Sequence, residues 1–145
     1  MEKKNKDRAS AIIPYKKGLI VIHRIKDYGE NLKDYYTIPG GGKEADETIE
    51  QATLREIKEE LGIEIDLTKI CYKLKIDERI QYFFVAKYLD GKIGSGKGDE
   101  MINVNYEKYG SYTSEIIPKE EIKNINLLPQ EIKEIILRDS DKIFV

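Results

Sequence analysis

The sequence predicts an α/β fold in which helices pack on a mixed β-sheet. Three observations carry that expectation. Short β-branched runs separated by turn residues stand both before and after a helical stretch. Two segments, one beginning at Thr48 and one at Pro129, carry apolar residues at helical spacing. A chain of 145 residues with 40% hydrophobic residues has the length of one domain, and such a domain buries roughly 68–70% of its unfolded surface.

The first candidate strands lie in the stretch ASAIIPYKKGLIVIHRI from Ala9 to Ile25, where Lys16-Lys17-Gly18 reads as a hairpin turn. Pro14 sits near the end of the first run and points to an edge or a bulge, because proline donates no ladder hydrogen bond. Leu19 to Ile22 is apolar at both parities, as a strand buried on both faces requires. A polar loop, KDYGENLKD, then leads to YYTIP and the triple glycine Gly40-Gly41-Gly42. Thr48 with Gln51 three residues on fits a capping box, and Gly62 is a natural helix terminator. Between them Leu54, Ile57 and Leu61 form a narrow apolar stripe. Ile70 to Ile76 and Ile80 to Leu89 read as strands around a turn at Asp77-Glu78-Arg79. Asp90 to Asp99 is glycine-rich and reads as a mobile loop, and Tyr109 to Ile117 is a further strand candidate. Pro129 opens a last helix with Ile132, Ile135 and Ile136 on one face. Strand order does not follow from these patterns.

Composition removes several function classes. The chain carries 25 Lys+Arg against 27 Asp+Glu, a net charge of −2, which argues against a nucleic-acid-coating protein and against an acidic disordered tail. Cys71 is the single cysteine, so neither an intramolecular disulfide nor a CxxC pair exists. No apolar run approaches the ~18 residues of a membrane span. The segment MEKKNKDR is charged, with no apolar stretch behind it, unlike a secretory signal. These features lead us to expect a cytoplasmic protein without a membrane partner.

The helix after Thr48 holds the chemistry. Glu56, Glu59 and Glu60 stand at i, i+3 and i+4, so they project from one face. Like charges at that spacing repel by about 0.2–0.5 kcal/mol per pair, and the C-terminal end of a helix disfavours negative charge. Folding alone gains nothing from the arrangement, although a solvated acidic face is common on surface helices. A hard divalent cation removes the conflict by taking carboxylate oxygens. Upstream, the backbone N–H groups of the Gly40–Gly42 segment can approach an anion closely, or the glycines serve only a tight turn.

The string from Gly41 to Ile63, GGKEADETIEQATLREIKEELGI, resembles the Nudix hydrolase family. The family box, G-x5-E-x7-R-E-U-x-E-E-x-G-U with U a bulky aliphatic residue, is met at Gly41, Glu47, Arg55, Glu56, Ile57, Glu59, Glu60, Gly62 and Ile63. The lead-in YTIPGG is also similar to the family's. The resemblance implies one Nudix domain over residues 1–145, with an α/β/α sandwich around a mixed sheet. It implies Glu56, Glu59 and Glu60 as ligands of Mg²⁺ or Mn²⁺. The general base would be Glu59, Glu60 or an acid from a downstream loop. Arg55 would orient a neighbouring glutamate with Glu47 as its partner, and Gly41 and Gly62 would shape the loop–helix–loop. Gly40 and Gly41 are substrate-binding candidates through their backbone N–H groups. The reaction implied is hydrolysis of a nucleoside diphosphate linked to a group X, because metal ions neutralise the phosphate oxygens while a carboxylate accepts the proton of water.

Weaker signals surround the box. Asp99 and Glu100 follow the glycine-rich segment and are candidates for a supporting acid, Glu100 above all. The segment GKIGSGKG nearly spells a phosphate-binding loop of the G-x4-G-K-[ST] type, but Gly98 stands where the hydroxyl belongs. Arg24, Lys26 and Lys43 are candidate phosphate contacts, with Arg24 closing a buried-looking strand. His23, the single histidine, reads as structural. The triplet Ile143-Phe144-Val145 either packs within the chain or covers the partner of a homodimer. No proline lies between Pro39 and Pro118, where the ADP-ribose-cleaving subgroup tends to carry one. The expected substrate is therefore a small nucleotide, a nucleoside triphosphate or an oxidised one. ADP-ribose, nucleotide-sugar and dinucleoside-polyphosphate hydrolysis, or a non-catalytic nucleotide-binding regulator, are the alternatives.

The overall charge balance also conceals a segregation. Residues 44–60 hold seven acids and two bases, a net of −5, which leaves +3 for the remainder.

Overall fold

The computed structural model describes residues 6–27, 31–94 and 111–145. Its first strand, β1 (Arg8–Ile12), is followed by a hairpin of β2 (Pro14–Tyr15) and β3 (Gly18–Asp27). Lys16 and Lys17 close that hairpin at φ 46° and 63°, the backbone a two-residue turn between twisted strands demands. Next come β4 (Leu32–Thr37), β5 (Gly40–Gly42), α1 (Ile49–Leu61), β6 (Glu64–Ile76), β7 (Arg79–Asp90) and β8 (Ser111–Pro118). A 3-10 turn at Lys119–Asn124, the short β9 (Leu127–Leu128), α2 (Gln130–Arg138) and α3 (Ser140–Ile143) complete the described chain.

The α/β class and the mixed pairing stand, but the strands divide between two sheets. One has the order β5-β1-β7-β6, with β1 antiparallel to β5 and parallel to β7. The other runs β2-β3-β4-β9, with β8 along the opposite side of β3 and β9 parallel to β4. Alternation along the strands feeds two cores. Leu19 and Val21 of β3 join Ile12, Phe83 and Val85 under Ile132 and Ile136 of α2. Ile20 and Ile22 join Ala11, Ile13 and Ala86 under Ile57 and Leu61 of α1. Leu19 to Ile22 are all buried, because a helix covers each face.

Several expectations change. The triple glycine is not a turn but the strand β5, paired with Arg8, Ala9 and Ser10. Of the expected stripe Ile57 and Leu61 are buried but Leu54 is 42% exposed, and Ala52, Thr53 and Glu60 complete the face through which α1 docks. Strand β6 begins at Glu64, six residues before Ile70, and a register shift between Leu67 and Cys71 interrupts its pairing. Gly91 and Gly94 are held in place, Gly91 O by the Tyr88 hydroxyl and the Gly94 N–H by Leu61 O at 3.1 Å. The remainder of that segment, with Asp99, Glu100 and Tyr109, lies outside the described residues. Ile143 packs within the chain at 2% exposure, whereas Val145 is exposed. No helix among the described residues is long and apolar enough to cross a membrane.

Candidate functional site

The ends of α1 are fixed chemically, and that fixes its acidic face. Thr48 Oγ1 accepts from the Gln51 N–H at 3.1 Å while Gln51 Oε1 accepts from the Thr48 N–H at 2.8 Å, a complete capping box. At the other end Gly62 takes φ 76° and its N–H donates to Lys58 O.

The three box glutamates leave this helix in different environments, contrary to the uniformly outward face expected from spacing. Glu60 is turned inward and 9% exposed. The Gly40 N–H donates to its Oε1 at 2.9 Å, and the Tyr112 hydroxyl donates to its Oε2. Glu56 is half-buried, and burial raises its pKa although Arg55 pulls the other way. Glu59 is the open one, with a side chain 53% exposed. The geometry follows from where α1 lies, alongside β1 and β5 and beneath β8, so that Glu60 reaches the strands.

Arg55 gathers the rest. Its Nε and Nη2 donate to Glu47 at 2.6–3.2 Å, its Nη1 to Glu56 Oε1 at 2.8 Å and Glu59 Oε2 at 3.3 Å, and its Nη2 also to Gly42 O at 3.0 Å. Hydrogen bonding from Arg55 lowers the Glu47 carboxyl to about 2, and bonding to Glu47 raises the guanidinium in turn. Gly41 packs directly on Glu56, since a Cβ there would stand 2.1 Å from Glu56 Oε2. A Cβ on Gly40 would stand 2.3 Å from Ala9 O, so β5 approaches β1 too closely for any side chain.

The three glutamates and the Gly40–Gly42 strand line a cavity of about 590 Å³, with Arg55 and Glu47 behind them. Glu56, Glu59 and Glu60 form one wall, and Arg8, Arg24 and Arg79 bring three guanidinium groups to the same space. Arg24 lies over the Tyr112 ring at 4.8 Å, and its Nε is buried without a hydrogen-bond partner. Ile38, Leu128 and Pro129 supply an apolar side. The sequence singled out Arg24, Gly40, Gly41 and the glutamates, and the fold brings all of them here. It leaves Lys43 outside, donating to Glu44 O at 3.0 Å, and His23 elsewhere, between Asp34 and Glu115 at 2.6 Å each. Arg8, Arg79, Gln81 and Tyr112 line the cavity and were missed, because only strand pairing brings them near α1. The one available signal was the shared parity of Arg79 and Gln81.

The donor chemistry of the acidic wall, oxygen only, fits a hard divalent cation. Among the described residues no acidic, histidine or cysteine groups already converge as a three-ligand cage. Arg55 Nη1 instead bridges Glu56 and Glu59 and balances their charge.

A sequence model described as the NUDIX domain matches residues 4–133. The chain belongs to the Nudix family. As a Nudix protein it is a hydrolase of phosphoric anhydrides, acting on small nucleotides of the general form nucleoside diphosphate linked to X. Nudix hydrolases generally use divalent metal ions. Solved structures agree on the fold. A NUDIX hydrolase from Nitrosomonas europaea is 15% identical, with 97% of this chain and 91% of that one covered at a TM-score of 0.69. A NUDIX-family hydrolase from Clostridium perfringens is 19% identical, covering 96% and 99% at 0.67. A MutT from Aliivibrio salmonicida or Vibrio cholerae is 19% identical, covering 91% and 94% at 0.61. No curated protein matches the chain by sequence.

Proposed function

We propose that this Nudix protein is a MutT-type pyrophosphohydrolase that cleaves nucleoside triphosphates, oxidised ones included, with Mg²⁺ or Mn²⁺. One observation carries the reading: three glutamates and three arginines line a single cavity. A triphosphate needs cations on its oxygens, and guanidinium groups match phosphate oxygens two at a time. A nucleotide-binding cavity without hydrolysis has little use for an open carboxylate such as Glu59.

Glu56, Glu59 and Glu60 would hold the cation, which when bound neutralises phosphate charge and acidifies water. Glu59 is our choice of general base, because Glu60 is committed to Gly40 and Tyr112 and Glu56 to Arg55. It would take the proton of the attacking water as the new oxygen–phosphorus bond forms and the bridging oxygen leaves. Arg55, itself fixed by Glu47, orients Glu56 and Glu59. Arg8, Arg24 and Arg79 would clamp the phosphates, the unpartnered Nε of Arg24 gaining its missing acceptor. The side formed by Ile38, Leu128 and Pro129 would receive the base. We also propose that the protein acts in the cytoplasm, where such substrates occur.

The test is a panel of nucleoside triphosphates, dinucleoside polyphosphates, ADP-ribose and nucleotide sugars, assayed with Mg²⁺ or Mn²⁺ and product identification. Nucleoside monophosphate and pyrophosphate are the expected products, and isotopically labelled water locates the phosphorus attacked. Near-normal turnover in both Glu59→Gln and Glu60→Gln would sink the mechanism.

A further inference from the structure

Beyond Leu128 the site cavity is met by a second one, of about 620 Å³, which shares that leucine and is lined also by Lys26, Lys33, Tyr35 and Asn126. Strand register places the two side by side. Arg24 pairs with Tyr35 and Lys26 pairs with Lys33 in the β3–β4 ladder. Residues two apart on a strand share a face, so the lysine pair continues the face from which Arg24 enters the first cavity, about 7 Å farther along.

Like charges directly opposite one another weaken strand pairing. Yet Lys26 and Lys33 stand opposite, Lys26 half-buried, and neither has an ion-pair or hydrogen-bond partner among the described residues. Asp34, the carboxylate at the same cavity, is engaged instead by His23, with Oδ1 2.6 Å from Nε2. Among the described residues the second cavity is therefore lined by two lysines against one carboxylate, a net positive charge beside an aromatic ring and leucines. It stands in line with the buried Nε of Arg24, which has no hydrogen-bond partner there.

We propose that the second cavity is an anion subsite for a further phosphate of the substrate, one lying beyond the anhydride that is cleaved. This rests on the reading of the first cavity as the nucleotide-cleaving one. The preferred substrate is then a nucleotide with an additional phosphate, either at the end of a longer 5′-polyphosphate or on the far side of its sugar.

Metal-free calorimetric titration tests the subsite without turnover. Two comparisons separate the sources: adenosine 3′,5′-bisphosphate against adenosine 5′-monophosphate, and adenosine 5′-tetraphosphate against the triphosphate. The wild-type protein should bind the longer ligand of one pair at least tenfold more tightly. The double variant Lys26→Met/Lys33→Met should lose that preference, and Lys26→Arg/Lys33→Arg should keep it. Should the methionine double variant fail to fold, Lys33→Gln alone, at an exposed position, should reduce the preference at least threefold. Equal affinities within both pairs, or a preference that survives loss of the lysine charges, overturns the proposal. An intact preference with no turnover of any nucleotide tested, the tetraphosphate and dinucleoside polyphosphates included, would instead reject the hydrolytic reading and leave the lysine pair as an anion site.

Discussion

Glu59, the base we propose, is an exposed carboxylate with a single weak ion pair among the described residues, so its removal should touch rate and not folding. Glu59→Gln is expected to lower kcat by about 10²–10⁴-fold, the usual worth of a positioned base, with an unchanged melting temperature. Steady-state kinetics beside a thermal melt checks both halves. Gly41→Ala makes a different demand. Its new methyl group would occupy the space of Glu56 Oε2, so the carboxylate must move. Activity should fall at least tenfold, and the metal concentration giving half-maximal rate should rise, with little loss of stability. Arg55, Glu56, Glu59 and Glu60 were legible in the sequence because their arrangement depends on spacing along one helix. Arg8, Arg79 and Tyr112 were not, since their place at the cavity depends on which strands neighbour one another.

Elements carry their own predictions. Thr48 satisfies an N–H at the start of α1, so Thr48→Ala should cost about 1 kcal/mol by denaturant unfolding. The helix also aims the glutamates, and fraying of its first turn should weaken Arg55 through Glu47. Ile136 of α2 is fully buried, does not line the cavity, and belongs to the core opposite the one on which α1 packs. Ile136→Ala should cost about 2–5 kcal/mol with kcat nearly unchanged in the folded fraction. Both helices were readable from periodicity and capping residues. The inward turn of Glu60 was not, because a buried carboxylate is tolerated only where strands supply donors such as the Gly40 N–H and the Tyr112 hydroxyl. The glycine triplet misled for a related reason. Glycine marks close backbone approach as readily as it marks a turn, and here β1 is what approaches.

For the molecule as a whole, charge decides the pH range of stability. Glu47 is lowered from its ordinary 4.5 to about 2 by Arg55, so its contribution is full above 4.5 and lost as pH falls through about 2. Burial works to lower the His23 pKa, but hydrogen bonds to Asp34 and Glu115 outweigh it and the pKa rises above 6.5. Its contribution is full below 6.5 and is lost as pH climbs through the folded value. Both are complete only between pH 4.5 and 6.5. Melting temperatures followed across pH should show His23→Gln flattening the alkaline limb and Glu47→Gln flattening the acid limb. The fork of Arg55 has a consequence for redesign. One guanidinium grips a loop carboxylate, a strand carbonyl and two helix carboxylates at once, so loop, strand and helix move as a single linkage. The cation affinity we propose for the glutamates is then adjustable from the loop at 43–48, and a graft that transplants the helix without that loop would transplant an unsteadied site.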